Sequence, residues 1–434
     1  MARMSPLAVS TALLFLLCLA SVGRAAGPGK LRAVMLPVRK DAATGQFLTT
    51  FRQRTPLVPV TAVLDLANPT TWVDCEKGYA SSTFRAVPCG SKLCRLTGSG
   101  ACGFCSRKPS VSCLNNTCGA LPSNTATGVG TSGDFLTDVL ALPTTPPSRP
   151  GAPLATAPAF LFTCGATFLT EGLATGAAGM ASFSRNRFAL PSQLAATFGF
   201  PRRFALCLPS FNAPSVVVIG EAPHTFQPGV DLSNSLSYTP LLVNPVSGLT
   251  HFQGDKSDEY FIGVTGIKIN GRAVPLNASR LAIDRRGNGG TKLSSAVPYT
   301  VMEPSVYKAF TAAFAAATAG ISRAPPVAPF KLCYDGSKVG GTRVGPAVPN
   351  IELVLQNKGT SWIVFGANSM VAVKGGALCL AVVDGGEFQR TSIELGGHML
   401  EDNLLEFDLE KSRLGFTSSL LFQQTTCSNF HLGQ

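Results

Sequence analysis

The stretch VLDLANPTTW (63–72) combines an apolar run, an aspartate and a tryptophan at a fixed spacing. Asp65 follows the apolar residues directly, and Trp72 comes seven residues after it. Apolar and β-branched residues that end at turn-forming residues favour a β-strand. We therefore expect a buried strand that delivers the carboxylate of Asp65 into a loop.

A second stretch of the same form, GGTKLSSAVPYTVMEPSVY (289–307), lies in the other half of the chain. The pair of stretches resembles pepsin-like aspartic proteases, whose second lobe repeats the aspartate loop ahead of a helix that begins near a tyrosine. Counting back from Tyr307, the resemblance places Ser294 where the second aspartate belongs, 229 residues after Asp65. This spacing is consistent with one such loop in each of two lobes.

Another aspartate, Asp284, lies close to the second stretch. It also follows apolar residues, but Arg285 and Arg286 come next, where a hydroxyl residue and a glycine are expected. It also lies ten residues too early relative to the following helix. We interpret Asp284 as a solvated loop carboxylate.

Short apolar and β-branched runs recur between turn signals along the chain, which predicts an all-β architecture. These runs are LVPVTAVLDL (57–66), FLTDVLAL (135–142), SVVVIG (215–220), EYFIGVTGIKI (259–269), NIELVLQ (350–356), SWIVFG (361–366) and LCLAVVDGG (378–386). A few short helices interrupt them. Helical patterns with proline near the start and glycine at the end cover 190–199 and 303–320. Proline and small residues over 144–158 predict a surface loop.

The first 25 residues have the form of a secretory signal peptide: a charged start, an apolar core and a small-residue exit. The core is too short to span a bilayer, and no later stretch approaches about 18 uninterrupted apolar residues. We expect a secreted protein of the extracellular space or cell wall. The remaining length exceeds a single core, so two lobes are predicted, over 26–232 and 233–434.

The net charge of +12 comes from scattered lysines and arginines. No basic helix or aromatic–basic pattern indicates a nucleic-acid partner. The charge is compatible with solubility and loose binding to acidic wall polysaccharide, or with attraction to acidic partner proteins.

Twelve cysteines remain after the signal peptide, an even number that predicts disulfide bonds in a secreted chain. Zinc is the competing interpretation of the cluster between Cys89 and Cys118, but all four histidines lie far along the chain. No cofactor or metal ion is predicted. The sequons at Asn115 and Asn277 are candidate glycosylation sites.

The two loops resemble those of pepsin-like aspartic proteases, in which each lobe presents an apolar-Asp-Thr/Ser-Gly motif. That mechanism needs two carboxylates that share one proton, and the hydroxyl of Ser294 does not ionise at neutral or acid pH. Leu66, Ala67 and Ala296 depart from the motif as well. The resemblance therefore implies a bilobal pepsin-like fold without proteolytic activity.

Two further departures agree with this expectation. The stretch SNTATGVGTSG (123–133) occupies the place of the protease flap, which carries a tyrosine in active members, and offers Thr125 near that place. Asp65 lies about 40 residues after the expected signal cut, which leaves no room for an inhibitory prosegment.

Over nearly its whole length the chain is similar to a plant subgroup of extracellular dermal glycoproteins, basic seed globulins and TAXI-type xylanase inhibitors. Shared stretches include WVDCEKGYASSTFRAVPCGSKLC (72–94), CLNNTCG (113–119), PFKLCYD (329–335) and LGGHMLEDNLLEFDLEKSRLGF (395–416). Resemblance and spacing imply the disulfide pairs Cys89–Cys94, Cys333–Cys379 and Cys207–Cys427, and leave the other six cysteines unassigned.

Several members of this subgroup block microbial glycoside hydrolases with loops of the second lobe. The resemblance places Arg323 at a basic position of the endoglucanase-inhibiting branch, although a solvated loop arginine explains it equally well. Leu421 stands where xylanase inhibitors carry a histidine, and Gln424 stands near the place of an arginine. The expected partners are microbial endoglucanases or xylanases. A storage, wall or peptide-binding globulin is the alternative, and a residual aspartic endopeptidase is a third.

Overall fold

The computed structural model describes residues 31–106, 110–144, 153–222, 224–226, 230–248 and 255–431. The predicted signal peptide, residues 1–25, lies outside these residues. Strands dominate the described chain and helices are few and short, as the sequence predicts.

The strands of the first half of the chain are β1 (Ala33–Lys40), β2 (Phe47–Gln53), β3 (Val58–Asp65), β4 (Trp72–Asp74), β5 (Arg85–Ala86), β6 (Cys102–Gly103), β7 (Thr117–Ala120), β8 (Ser123–Asn124), β9 (Val129–Gly130), β10 (Gly133–Pro143), β11 (Leu154–Gly165), β12 (Gly179–Ser182), β13 (Arg203–Cys207), β14 (Ser215–Gly220), β15 (Thr225–Phe226) and β16 (Val230–Asp231).

The strands of the second half are β17 (Ser237–Leu242), β18 (Phe261–Ile262), β19 (Val264–Ile269), β20 (Arg272–Ala273), β21 (Thr291–Leu293), β22 (Thr300–Met302), β23 (Arg323–Ala324), β24 (Cys333–Asp335), β25 (Gly341–Thr342), β26 (Gly345–Pro346), β27 (Ile351–Leu355), β28 (Ser361–Val364), β29 (Met370–Ala372), β30 (Ala377–Leu380), β31 (Val382–Asp384), β32 (Ile393–Leu395), β33 (Leu404–Asp408), β34 (Arg413–Phe416) and β35 (Phe430–His431).

The α-helices are α1 (Lys92–Thr97), α2 (Leu190–Phe198), α3 (Ala278–Leu281), α4 (Pro304–Ala317), α5 (Gly366–Ser369) and α6 (Gly397–Leu400). Short 3-10 helices cover Thr167–Thr170, Gly336–Lys338, Leu420–Gln423 and Cys427–Asn429. None of the described helices has the length and apolar character needed to cross a membrane.

The predicted helices both form, with one difference at an end. Helix α2 ends before Gly199, whose φ of +73° lies in the left-handed region that glycine adopts without strain. Helix α4 ends at Ala317, three residues before the expected Gly320. Thr318 is the C-cap, with φ of −110° and ψ of +23°, and its hydroxyl bonds the carbonyl oxygen of Phe314 and lies 2.5 Å from the hydroxyl of Tyr334.

The surface loop predicted over 144–158 extends too far at its C-terminal end. Strand β11 already begins at Leu154 and pairs with β10 in an antiparallel hairpin. Pro158 lies in this strand at a register shift opposite Val139, between the pairs Leu140–Ala157 and Asp138–Phe160. A bulge tolerates proline because the ladder bond is already interrupted there.

One strand arrangement occurs twice. In the first half β12 runs parallel to β3 and antiparallel to β4, and β4 runs parallel to β11. In the second half β32 runs parallel to β21 and antiparallel to β22, and β22 runs parallel to β31. The two halves therefore repeat one strand–loop–strand unit, as the two similar sequence stretches predict.

A six-stranded antiparallel sheet connects the two halves. Its order is β1, β14, β13, β33, β34 and β17. At its centre Phe204 of β13 stacks on Phe407 of β33, with ring centroids 4.6 Å apart. Both side chains are fully buried, so the junction is part of the hydrophobic core.

Twelve cysteines of the described residues form six disulfide bonds. They are Cys75–Cys164, Cys89–Cys102, Cys94–Cys118, Cys105–Cys113, Cys207–Cys427 and Cys333–Cys379. The pairs Cys207–Cys427 and Cys333–Cys379 agree with the sequence prediction.

The predicted Cys89–Cys94 pair is wrong. Cys94 lies on α1, a helix capped by Ser91, and faces the core, where it meets Cys118 of β7. Cys89 lies before the helix and bonds Cys102 of β6, the strand that pairs with β7. The helix therefore separates two cysteines that are close in sequence.

Candidate functional site

Asp65 and Ser294 occupy equivalent places in the two repeated units. Asp65 ends β3, opposite Ser182 of β12, and its carbonyl oxygen accepts a bond from the N–H of Phe183. Ser294 directly follows β21, and its N–H donates to the carbonyl oxygen of Leu395 in β32. The strand pairing thus places a carboxyl group in one loop and a hydroxyl group in the other.

The two loops meet at the backbone. The hydroxyl of Ser295 donates to the carbonyl oxygen of Leu64 over 2.7 Å, and both residues are buried. The matching position in the first loop is Leu66, which is fully buried and has no hydroxyl to return such a bond. Only one half of this junction therefore carries a side-chain bond.

The carboxylate of Asp65 is used within its own loop. It accepts bonds from the N–H of Ala67 at 2.9 Å and from the N–H of Asn68 at 3.2 Å. The Nδ2 atom of Asn68 adds a third bond at 2.5 Å. The side chain is 1% exposed, and this burial raises the pKa of Asp65 although the hydrogen bonds oppose the rise.

The flap-like hairpin closes over this loop. Its first strand, β8, contributes Ser123, whose carbonyl oxygen accepts bonds from Asn68 Nδ2 at 2.9 Å and from Trp72 Nε1 at 2.8 Å. The Ser123 hydroxyl donates to Asn68 Oδ1 at 2.8 Å. Thr125, singled out from the sequence, lies in the same hairpin, where its hydroxyl donates to Met180 Sδ at 3.7 Å. The hairpin is thus docked on the aspartate loop and covers its carboxylate.

The chemistry of this arrangement is limited. A single buried carboxyl group and a serine hydroxyl cannot act as the proton-sharing pair that hydrolyses peptides through an activated water. No group of three or more histidine, cysteine, aspartate or glutamate side chains placed to hold a metal ion occurs among the described residues.

Arg323 lies on the surface of the second half, in β23. Its guanidinium carbon is 4.6 Å from the ring centroid of Tyr334, the residue opposite it in β24. Its Nη2 atom donates to the carbonyl oxygen of Ala315, near the end of α4, at 3.1 Å. Stacking and this bond hold the group in one orientation while much of its five-donor capacity remains for other contacts.

The tail candidates differ in exposure. Leu421 is half-buried in a 3-10 helix, and Gln424 ends that helix, exposed and with a φ of +56°. Between them Phe422 is 50% exposed and packs edge-on against Phe365. Sequence reasoning passed over this aromatic residue because nothing local distinguishes an exposed phenylalanine from a buried one.

Both sequons lie at the surface. Asn115 is exposed beside the Cys105–Cys113 loop, and Asn277 is exposed at the start of α3, where its Oδ1 atom caps the helix through the N–H of Ser279. Surface exposure is compatible with glycosylation, which stays a prediction.

A cavity of about 890 Å³ is lined mostly by residues of the first half of the chain, together with residues 255–258 of the second half. Its lining combines apolar and aromatic surface, including Phe104, Phe135 and Phe188, with the acidic side chains of Glu76, Asp134, Asp255 and Asp258 and with Lys256. Burial raises the pKa of Asp134 and of Asp258. Sequence reasoning did not find this cavity, because disulfide-linked loops far apart in sequence form it.

The duplicated units, the sheet that connects them and the paired loops define an aspartic-protease-like protein of two lobes. The N-terminal model of the xylanase inhibitor family matches residues 47–221, and the C-terminal model matches residues 259–418. The chain belongs to this xylanase inhibitor (TAXi) family.

Several characterised proteins are similar to the chain over most of their length. A Nicotiana benthamiana protein named probable aspartic proteinase GIP2 is 52% identical over 92% of this chain and 92% of its own length. Gamma conglutin 1 of Prunus dulcis is 40% identical over 94% of this chain and 90% of its own length.

Two crystal structures have the same fold. The structure titled edgp superposes with a TM-score of 0.89 at 47% identity and covers 93% of this chain and 99% of its own. The basic 7S globulin of soybean superposes with a TM-score of 0.78 at 32% identity and covers 93% of this chain and 100% of its own. The pepsin-like fold predicted from the sequence is confirmed.

Proposed function

We propose that this protein is a secreted, non-proteolytic inhibitor of microbial cell-wall-degrading glycoside hydrolases, which it binds as a folded protein in the apoplast. The observation that carries the proposal is the match of the xylanase inhibitor family to both halves of the chain. The family includes proteins named as globulins, and one relative is named a probable proteinase, so the absence of catalysis needs its own argument.

The paired loops support the absence of proteolytic catalysis. Catalysis by an aspartic protease requires two ionisable carboxyl groups at the place where this chain has Asp65 and Ser294. The hydroxyl of Ser294 does not ionise in the working range of these enzymes. Asp65 is 1% exposed, and its oxygens already accept bonds from the N–H of Ala67 and from the N–H and Nδ2 of Asn68. Both features oppose the binding and activation of a water between the lobes.

Inhibition by binding is chemically reasonable for this chain. Glycoside hydrolases place two carboxyl groups about 5–9.5 Å apart on either side of the scissile bond. A guanidinium group inserted between them forms charge-assisted hydrogen bonds in a site from which water is excluded. Arg323 is exposed and held by Tyr334 and Ala315, so little side-chain freedom is lost when it binds.

The tail departs from both inhibitor branches. Leu421 and Gln424 carry no charge, so neither can form an ion pair with a catalytic carboxylate. Both departures weaken inhibition of the known targets, so the electrostatic contribution rests on Arg323 and the proposed target is either an endoglucanase or a xylanase.

Inhibition assays of the purified, disulfide-bonded protein test the proposal. The targets are a family 11 xylanase and a xyloglucan-specific endoglucanase, each at acid pH. We expect tight inhibition of at least one, weakened by Arg323→Gln and unchanged by Arg272→Gln, which alters another exposed arginine. Failure of the parent protein to inhibit either enzyme would refute the proposal.

A globulin that binds peptides is the second candidate, and the cavity that Asp134 lines favours it. Its volume of about 890 Å³ is in the range of ligand sites, and its acidic and aromatic lining suits a basic peptide. Retention of an amphipathic basic peptide, lost in Asp134→Asn, together with no hydrolase inhibition, would favour this function.

A further inference from the structure

The most exposed aromatic side chain among the described residues lies in the second half, at the tip of a turn. Phe388 is 92% exposed in the loop between β31 and β32. The N–H of Gln389 bonds the carbonyl oxygen of Gly386, and Gly386 has a φ of +72°. Phe388 thus occupies the third position of a tight turn and projects from the surface.

Three exposed arginines flank this turn. Arg390 lies two residues after Phe388, and Arg285 and Arg286 lie in the neighbouring loop. The described residues contain no carboxylate within 4 Å of any of these guanidinium groups. We call Arg285, Arg286, Phe388 and Arg390 the Phe388 patch.

The two loops of the Phe388 patch are fixed to each other. Arg390 donates through Nε to Asn288 Oδ1 at 3.2 Å and through Nη2 to the carbonyl oxygen of Arg286 at 2.5 Å. The N–H of Gly289 returns a bond to the carbonyl oxygen of Arg390 at 2.8 Å. The patch is therefore pre-organised, so binding through it loses little conformational entropy.

Asp284 builds the arginine-bearing loop through hydrogen bonds, and the charge of Arg286 is a further cause that lowers the pKa of Asp284. Its carboxylate accepts bonds from the N–H groups of Arg286 and Asn288, both at 2.8 Å, and from Asn288 Nδ2 at 3.0 Å. The arginine side chains point their charge toward solvent while the turn carboxylate is occupied by the backbone. Glu387, the neighbour of Phe388, is the acidic side chain that the turn itself exposes.

The Phe388 patch is linked to the segment that carries Arg323. Lys331 lies between Arg323 and the strand residue Cys333, and its Nζ atom is 2.9 Å from Asp384 Oδ2 at the start of the Phe388 loop. Arg323 and the Phe388 patch thus belong to neighbouring loops of the same half.

From these observations we infer that the Phe388 patch is a second contact surface for the inhibited hydrolase, with Phe388 inserted into an apolar recess and the arginines paired with acidic groups beside it. The inference rests on the proposed function. Aromatic residues and arginine are the side chains enriched at the energetic centre of protein interfaces. The cleft of a glycoside hydrolase carries two carboxyl groups, which are partners of the right charge for the arginines of the patch.

Two variants test the inference against the hydrolase that the parent protein inhibits. Phe388→Ala is expected to raise the inhibition constant about tenfold or more, as the loss of a buried aromatic contact does. Arg285→Gln combined with Arg286→Gln is expected to slow association and to flatten its dependence on salt. The controls are Phe211→Ala, a 67% exposed phenylalanine in the first half, and Arg272→Gln, each expected to stay within about twofold of the parent.

The outcomes separate the inference from the proposed function. If the parent inhibits no hydrolase, the proposed function and the inference fall together. If the parent inhibits and Phe388→Ala matches Phe211→Ala, the inference alone is wrong. Loss of retention on polygalacturonate in the arginine variant, with inhibition unchanged, would also overturn it and assign the patch to acidic wall polysaccharide. Unchanged melting temperatures show that the variants fold.

Discussion

The hydroxyl of Ser295 lies 2.7 Å from the carbonyl oxygen of Leu64 and joins the two loops that would form a catalytic centre. Leu66, at the matching position of the other loop, fills its place with an aliphatic side chain that is fully buried. One loop therefore contributes a side-chain hydrogen bond to this junction, and the other contributes an apolar side chain to the hydrophobic core.

Replacing Ser295 by alanine should destabilise the fold by about 1–3 kcal/mol, because the buried carbonyl oxygen of Leu64 loses its side-chain donor. Urea unfolding measures the change. Ser337→Ala is the matched control, since its hydroxyl is exposed and bonds only the nearby Asp335. Equal effects of the two substitutions would show that the junction contributes nothing specific.

Replacing Ser294 by aspartate should not create a protease. The new carboxyl group would enter a site where Ser294 is 6% exposed and where Asp65 remains bound to Asn68 under the flap. We expect a lower melting temperature at neutral pH, because a second charge is buried without a partner. Pepstatin-sensitive cleavage of a denatured protein at acid pH by this variant would contradict the prediction.

The pH dependence of stability should report the burial of Asp65. Burial raises the pKa of Asp65, so the native state keeps the carboxyl proton at pH values where the unfolded state has lost it. The contribution of Asp65 to the free energy of unfolding of the parent therefore falls as pH rises above about 3.9. The free energy of unfolding of Asp65→Asn, relative to the parent, should therefore increase from about pH 3 to about pH 7. Urea unfolding across this range measures it.

The Asp284→Asn variant provides a control in which stability should depend on pH in the opposite direction. Bonds from Asn288 and Arg286 lower the pKa of Asp284, so its contribution is present above the unfolded pKa and is lost as pH falls through the folded value. Asp284→Asn should lose stability relative to the parent as pH rises. The same trend for both variants would refute the assignment of opposite environments.

Removing the Cys207–Cys427 disulfide should destabilise the protein more than removing Cys105–Cys113. The first closes a loop with a sequence separation of 220 residues and the second a loop with a separation of 8. The chain-entropy relation gives about 5 kcal/mol for the longer loop and about 2.5 kcal/mol for the shorter one. Paired serine substitutions compared by urea unfolding test the order, which similar losses would contradict.

The sequence predicted the features that rest on local pattern. Apolar runs bounded by turn residues gave the positions of β3, β14, β27 and β28, and proline and glycine signals located α2. Asp65 and Ser294 were found from the repeat of one motif, because a duplicated strand–loop unit imposes the same spacing twice. Asp284 was also assigned correctly as an exposed loop carboxylate.

The wrong prediction of a Cys89–Cys94 pair shows that local sequence pattern does not determine disulfide pairing. Cys89 and Cys94 are five residues apart, but α1 turns Cys94 toward Cys118 and leaves Cys89 beside Cys102. Pairing depends on which cysteines the sheet and helix bring within reach of one another, and sequence distance does not measure this.

By itself the sequence determined the two-lobed β architecture and the presence of one aspartate and one serine in the paired loops, because strand periodicity and residue chemistry are local properties. Only the tertiary structure decided that Asp65 is covered by Ser123 and Asn68, that Arg323 is held by Tyr334, and that Phe388 projects among arginines. The burial or exposure of a side chain depends on which distant segments pack against it, and this packing is a property of the whole folded chain.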